Sequence, residues 1–182
     1  AEEVLACDRI INLPKLKTHV QMVLTLGIKN MFGCVVGKRK SQWHLMAGKD
    51  TMYFARMITD IFQAVRPSLT IMDGVIAMHK DGPHNGEPYN MGLIFAANDA
   101  VALDSAVTFM VGLEPADNPI LSVAIEKGLG EARLDKVDFP CVKPGQARQK
   151  GFGIPGQSAL EIGPGFLRPY LRRLLVPKPI TD

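Results

Sequence analysis

The clearest periodic signal in the chain is an apolar stripe at helical spacing between residues 51 and 65. Its members, three or four positions apart as on one face of an α-helix, are Phe54, Met57, Ile58, Ile61, Phe62 and Val65. Asp50 or Thr51 supplies an oxygen suited to cap the first turn, and Pro67 ends the pattern. The sequence therefore predicts an amphipathic helix that packs on a sheet or another helix.

Short apolar runs bounded by turn residues predict the strands. The candidates are residues 9–13, residues 69–72 with a continuation at 75–78 beyond a kink, and residues 92–97. Two more helices are predicted, one from Asn98 or Asp99 to Gly112 and one from about residue 117 to Gly128. This alternation indicates an α/β fold, with helices covering a mixed or largely parallel sheet, and we expect a fragment of a larger α/β protein.

A row of basic side chains follows the first predicted strand. Lys15, Lys17 and His19 come directly after Pro14 at a spacing of two. If the backbone is extended there, the three side chains project to the same side. The row predicts one basic surface beyond a strand end.

The next segment shows a different period. Apolar residues recur at helical spacing over residues 20–31 and predict a helix, weakened by Gly27, with Thr25 and Lys29 on a different face. Residues 33–48 are basic and rich in glycine, which predicts a loop with one short ordered turn.

Composition is that of an ordinary globular chain, with 182 residues, of which 47% are hydrophobic and 21% charged. We predict an α/β core over residues 1–142 and a Gly/Pro-rich tail or linker over residues 143–182, in which only residues 166–175 look helical. The three cysteines lie far apart and complete no iron–sulfur or zinc motif, so no cofactor is demonstrable within this chain.

Charge changes this picture more than composition does. No acidic residue lies between Asp8 and Asp50, while eight lysines and arginines do. The rest of the chain has 21 − 8 = 13 basic residues against 18 acidic ones. Cations without acidic neighbours attract anions, so the acid-free segment predicts an anion site.

The candidate anion ligands are ammonium, hydroxyl and amide groups from this segment: Lys15, Lys17, Thr25, Lys29 and Asn30. Such groups suit the oxygens of a phosphate or a carboxylate. The alternative interpretation is a solvated basic surface without a ligand. His19 is the candidate hydrogen-bond donor or proton carrier.

The loop that carries Lys38, Arg39, Lys40, Trp43 and His44 has two interpretations. Basic residues beside an aromatic side chain can hold a nucleic-acid backbone and stack a base. One Trp and three cations make a thin case, and we do not expect a nucleic-acid partner. We favour a lid over the anion site, with Lys38 among the ligands.

A second group of polar residues follows the strand predicted at 69–72. Asp73 and His79 are candidate catalytic residues at the strand end and in the loop beyond it, where open α/β sheets place ligands. His79, Asp81 and His84 could together hold a divalent metal. Good turn chemistry explains the same residues equally well.

Two further acidic residues sit on the predicted helix that ends at Gly112. Asp99 fits a helix cap, whereas Asp104 has apolar neighbours and needs a partner. Asp104 either meets a lysine of the basic segment or lies on an exposed stripe, and the sequence leaves both open.

No apolar run reaches the 18 or so residues that span a bilayer, and the chain starts without a basic stretch followed by a hydrophobic one. We therefore expect a cytoplasmic protein without a membrane partner.

Several sequence blocks in order resemble the domain of unknown function 362 family, over roughly residues 8–140. The blocks are NLPKLKTH, TLGIKNMFGCVVGKRKSQWH, MDGVIAMHKDGPHNGEP, NDAVALDSAV and EKGLGEA. The matching positions, which the resemblance implies share a site, are Lys15, Lys17, His19, Thr25, Lys29, Asn30, Asp73, Gly82, Pro83, Asp99 and Asp104. Many family members look like iron–sulfur proteins joined to a ferredoxin-type module, which this chain does not contain, so the resemblance implies iron–sulfur clusters in the parent protein.

The leading hypothesis is a domain that binds a small anionic substrate or cofactor and works with iron–sulfur electron transfer supplied by a module outside this chain. One alternative is a noncatalytic adaptor that docks an acidic electron-transfer partner through its basic face. Another is a metal-dependent hydrolase. The sequence does not decide whether the protein is an enzyme.

Overall fold

The computed structural model describes residues 2–47 and 50–156. These residues contain one mixed five-stranded sheet. Its strands are β1 (Ile11–Asn12), β2 (Lys15–His19), β3 (Val23–Thr25), β4 (Leu69–His79) and β5 (Glu87–Ala97). β1 and β2 run parallel to β4, whereas β5 pairs with β4 and β3 pairs with β2 in antiparallel fashion. The prediction of an α/β fold with a mixed sheet is confirmed.

Six α-helices accompany these strands in the described part of the chain. They are α1 (Glu2–Ala6), α2 (Gly27–Asn30), α3 (Arg39–Ala47), α4 (Thr51–Val65), α5 (Ala100–Met110) and α6 (Pro119–Glu126). Short 3-10 turns occur at Met31–Cys34, Pro115–Asp117 and Leu134–Lys136. The two caps expected from the sequence are present: the Asp50 carboxylate accepts the Tyr53 N–H, and Asp99 accepts the N–H groups of Val101 and Ala102.

Two apolar clusters form the core. One lies between the sheet and α5 and includes Leu16, Met72 and Val107. The other joins α4 to α6 and to the segment after β3. The opposite face of the sheet leaves Ile11 and Ile94 exposed.

The helix predicted over residues 20–31 is wrong. The chain turns after His19, forms β3, and becomes helical only at Gly27. Val23 has a φ of +63°, and the Leu24 N–H donates to the Met22 carbonyl over 2.6 Å, which closes a tight γ-turn at the start of β3. Strand pairing with β2 therefore overrides the helical spacing of the apolar residues.

Two loop predictions also need correction. The basic segment after Gly33 contains helix α3, nine residues long, in place of one short turn. β4 continues through Asp73 to His79 with an irregularity between Gly74 and Ile76, and β5 begins at Glu87. β5 therefore begins ahead of the strand predicted at residues 92–97, and the connection between the two strands is correspondingly shorter.

The described part of the predicted tail, residues 143–156, contacts the core. Phe152 is buried, and the Tyr89 hydroxyl donates to the Lys150 carbonyl over 2.9 Å. The boundary at residue 142 stays a prediction, and the helix predicted at 166–175 lies outside the described residues.

Candidate anion-binding site

The β2–β3 hairpin places three of the predicted site residues on one face. Lys17 lies directly opposite Thr25 in the antiparallel ladder, and His19 lies opposite Val23. Side chains of opposed residues share a face of the sheet, and so do residues two apart on one strand. Lys17, His19 and Thr25 therefore point the same way, and Lys29 follows on α2.

His19 is held in one tautomer. Its Nδ1 accepts the backbone N–H groups of Gln21 and Met22, each over 3.2 Å, so the ring proton resides on Nε2. Burial, followed by the positive charge of Lys29, lowers the pKa of His19 to about 2. The ring is thus a neutral donor through Nε2 at physiological pH.

Lys29 is the half-buried cation of the site. Burial lowers its pKa to about 8, and the charges of Lys17 and Lys40 contribute to the shift. The ammonium is still mostly protonated at pH 7. The charges that act on Lys29 are thus those of two other lysines, and no acidic group of the described chain is among them.

His44, on α3, belongs to the same group. Its ring centroid lies 4.3 Å from that of Phe54 and 5.4 Å from that of Phe32. Burial and then the charge of Lys29 lower the pKa of His44 to about 4. We define the basic cluster as the groups that perturb one another in this region: Lys17, His19, Lys29, Lys40, His44 and His84.

Thr25 contributes a hydroxyl that the described residues leave unpaired. The residue is only 7% exposed, and its Oγ1 is buried without a hydrogen-bond partner in the described part of the chain. Gln21, in the hairpin turn, has a side-chain oxygen in the same condition. Buried polar atoms are normally satisfied, so the Thr25 hydroxyl and the Gln21 side-chain oxygen stand out as unsatisfied groups of this hairpin.

Asp104 fixes the segment that carries Lys29. Its Oδ1 accepts the Gly27 N–H over 2.8 Å and its Oδ2 accepts the Ile28 N–H over 2.9 Å. Burial raises the pKa of Asp104 to about 7, while these two hydrogen bonds favour the carboxylate. The partner is therefore backbone, and both sequence alternatives for Asp104 are wrong. A Cβ at Gly27 would lie 3.0 Å from Oδ1, which explains the glycine.

Lys15 is separated from the basic cluster by its partner. Its Nζ lies 2.6 Å from Oδ2 of Asp73, and both side chains are about half exposed. The pKa of Asp73 is lowered, chiefly by this hydrogen bond from Lys15. Lys15 and Asp73 thus form a surface ion pair and not two walls of one site.

Two other predicted anion ligands also lie apart. Asn30 donates its Nδ2 to Asn12 Oδ1 over 2.8 Å and so joins α2 to β1. Lys38 is exposed in the turn ahead of α3.

His79, Asp81 and His84 are not brought together as metal ligands. His79 Nδ1 accepts the Gly153 N–H, and its ring packs on Tyr89 and Phe152. Within residues 2–47 and 50–156, no three His, Cys, Asp or Glu side chains are grouped as a metal site. Whether the protein binds a metal stays a prediction. His84 lies near enough to His19 to affect the pKa of His19.

The sequence placed Lys40 and His44 in a lid over the anion site, but of that segment it named only Lys38 as a ligand. Their spacing of four puts both on the same face of a helix, which was the available signal once α3 is recognised. Lys40 Nζ lies 6.0 Å from the ring centroid of Phe32, and it is the charge of Lys40, not that of Lys38, that lowers the pKa of Lys29.

Comparison with known proteins gives a family and one relative. Residues 1–109, more than half of the chain, match the family described as Domain of unknown function (DUF362). The thylakoid-associated protein sll1697 of Synechocystis sp. is 38% identical over 155 residues, which make up 85% of this chain and 48% of that protein. The chain therefore spans about half the length of this relative. No solved structure matches the chain.

Among residues 2–47 and 50–156, no helix is long and apolar enough to cross a bilayer.

Proposed function

Because the chain belongs to the domain of unknown function 362 family, whose description names no reaction, we propose a function from its side chains: the basic cluster binds a small phosphate or carboxylate ligand. One observation carries the proposal. Lys17, Lys29 and Lys40 come from three different elements, and the charges of Lys17 and Lys40 both lower the pKa of Lys29, with no acidic group among the causes in the described chain. Gathering like charges costs free energy that a bound anion offsets.

Each group has a role that its geometry permits. The three ammonium groups supply charge, and Lys29 contributes most because burial reduces solvent screening. His19 donates Nε2–H without adding charge, since its Nδ1 is occupied by backbone donors. Thr25 Oγ1 supplies a further donor at the same face.

Burial favours a small ligand over the adaptor alternative. A surface that docks an acidic protein presents its charges to solvent, whereas His19 is only 3% exposed and Lys29 is half-buried. The metal-dependent hydrolase has less support, because His79 packs against the segment around Gly153, while His84 lies near His19.

The link to iron–sulfur chemistry is part of the proposal and rests on the family resemblance. The chain has three cysteines and no cluster motif, so any cluster belongs to a module outside these residues. Anaerobic purification of the complete parent protein, with its absorption spectrum and iron and sulfide content, tests this link. A parent without iron and sulfide contradicts it.

The location of the protein in the cell is also part of the proposal. The relative's name states that that protein associates with thylakoids, so membrane association competes with the cytoplasmic location expected from the sequence. Fractionation of native cells, with the protein followed by antibody, distinguishes the two.

The binding proposal is tested by thermal shift and calorimetry with a panel of phosphates and carboxylates. We expect at least one anion to stabilise the protein, and Lys17→Ala and Lys29→Ala each to weaken its binding tenfold or more. Lys15→Ala is the matched control, because its ammonium is already paired with Asp73. Equal binding by all four proteins contradicts the proposal.

A further inference from the structure

We infer that the open edge of β5 and the sheet face opposite α5 form one interface, whose partner is a β-strand and an amphipathic α-helix from the part of the parent protein outside this chain. This surface is separate from the basic cluster. Lys17 lies beside Met78 near one end of β4, whereas Leu93–Ala97 pair with the other end of that strand.

The outer edge of β5 is open in the described chain. β5 pairs with β4 along one side, and no described residue hydrogen-bonds to the other side of Leu93–Ala97. The N–H and C=O groups of such an edge are a template for a further strand. Proline and irregular pairing discourage strand addition, and Pro88 and Gly92 (φ +68°) supply both in the first half of β5. The second half, LIFAA, contains no proline, glycine or charge.

A cavity of about 320 Å³ runs along this open edge. Its lining includes all five residues of Leu93–Ala97, together with α5 and residues 137–142. Successive residues of a strand point to opposite faces, so five in a row line one cavity only where it follows the strand edge. Residues 137–142 therefore run beside the edge and leave space for the side chains of an added strand.

The sheet face opposite α5 is apolar and exposed. Ile11, Leu13 and Ile94 are 60%, 68% and 68% exposed. The polar groups among them are a neutralised pair, since Asp73 lies between Ile94 and Lys15 in the register and binds that lysine. Large exposed apolar patches mark interaction surfaces.

The shape of this face suits a helix. β1 and β2 run parallel to β4, and parallel strands occur almost only in sheets that are covered on both faces. Three strands span about 10 Å, which is about the diameter of one α-helix. An amphipathic helix therefore fits across the rows that carry Ile11 and Ile94.

Chain length identifies where the strand and the helix come from. The match with the Synechocystis relative covers 48% of that protein, so about half of the relative lies outside the matched region. A segment of that length is enough for several strands and helices. A second copy of this chain fits less well, because two copies paired edge to edge through β5 would leave both apolar faces exposed.

Hydrogen exchange of the parent protein, resolved to single amides by mass spectrometry, tests the strand. In an open edge strand only every second N–H faces a neighbour, so fast and slow amides alternate. We expect all five amides of Leu93–Ala97 to be slow in the parent, with rates within about tenfold of one another. In the 182-residue chain alone, folded by circular dichroism, the outer amides should exchange about 100-fold faster than in the parent.

Ile94→Lys in the parent tests the helix. The new charge would be buried beneath the helix, so the melting temperature should fall by about 5 °C or more. Ile125→Lys is the matched control, because Ile125 is an exposed isoleucine on α6, away from this face. It should change the melting temperature by about 1 °C or less. Loss of folding in Ile94→Lys with Ile125→Lys intact counts as the expected result.

Four other outcomes count against the inference. Alternating fast and slow amides in the parent overturn the added strand. A melting temperature of Ile94→Lys equal to that of Ile125→Lys overturns the helix. Protection that rises with protein concentration, together with a dimer in analytical ultracentrifugation, assigns the edge to a second copy. Full protection in the monomeric 182-residue chain shows that no outside partner is needed.

Discussion

Strand β2 carries two similar lysines, Lys15 and Lys17, in different surroundings. At one end Lys15 is half exposed and pairs with Asp73 on the neighbouring strand over 2.6 Å. In the middle of the strand Lys17 lies opposite Thr25 in the ladder, and its charge lowers the pKa of Lys29. Lys15 and Lys17 lie two residues apart on one strand but have different environments. The charge of Lys15 is neutralised at the surface by Asp73, whereas Lys17 belongs to the basic cluster.

The difference shows that a row of cations is not itself a site. What distinguishes its members is whether a neighbouring strand supplies a carboxylate and whether burial removes solvent screening. The comparison can be tested by mutation, because a carboxylate can be added opposite Lys17 or removed from beside Lys15.

The largest expected effect comes from adding a carboxylate opposite Lys17. Thr25→Asp places an acid opposite Lys17, as Asp73 lies beside Lys15. We expect affinity for the best anion of the panel to fall about 100-fold or more, since a cation is neutralised and a like charge faces the ligand. Calorimetry measures the loss.

Thr25→Val is the matched control for that variant. It removes the hydroxyl without adding charge and should weaken binding by about tenfold or less. Thermal melting of both variants shows whether they remain folded. Thr25→Asp binding within threefold of Thr25→Val would show that the charge balance at this end is unimportant.

The sequence predicts much of the framework around this comparison. The α4 stripe and its Asp50 cap, the Asp99 cap and the α/β class follow from local periodicity and capping chemistry. Such features depend on residues within a few positions of one another. The hairpin was missed because β3 exists through pairing with β2, which local spacing does not report.

The residues of the proposed site follow only in part from the sequence. The acid-free segment suggested Lys17 and Lys29 by charge, and the spacing of two along an extended segment added His19. It could not exclude Lys15, because the acid that neutralises it comes from β4, 58 positions later. It also could not include Lys40 and His44, which reach the cluster only because α3 is a helix.

A second test compares two acids: Asp104, which holds the segment that carries Lys29, and Asp73, which pairs with Lys15. Asp104→Asn should lower the free energy of unfolding by about 2 kcal/mol, because an amide accepts only one of the two buried N–H groups and opposes the other. Asp73→Asn, at an exposed position, should leave the unfolding midpoint unchanged within error. Urea unfolding followed by circular dichroism measures both.

Asp104→Asn also tests the position of Lys29. Because Asp104 holds Gly27 and Ile28, the variant should weaken anion binding even in the temperature range where it is fully folded. If stability falls while affinity is retained, Asp104 supports the fold without positioning the cluster.

The third test uses pH to remove the positive charge of Lys29. A lysine is charged below its pKa, and that of Lys29 is lowered to about 8, so its charge is lost as pH rises through 8. Sulfate remains dianionic over this range, and its affinity should be flat below pH 7 and fall about tenfold per unit well above pH 8. Titration calorimetry at several pH values follows this.

Lys29→Arg is the control for the pH test, since a guanidinium stays charged throughout the range. Its sulfate affinity should change little between pH 7 and pH 9.5. A wild-type profile as flat as that of Lys29→Arg would mean that Lys29 does not titrate in contact with the ligand.

The smallest effect on anion affinity is expected at Lys15, whose charge is neutralised by Asp73. Lys15→Met should leave sulfate affinity within twofold of wild type and the melting temperature unchanged, because a half-exposed ion pair is well screened by water and salt. Calorimetry at low and at 0.5 M salt sharpens the test, since any remaining influence of Lys15 must act at a distance. A fivefold loss that persists at high salt would place Lys15 in direct contact with the anion, which requires its ammonium to leave Asp73 when ligand binds.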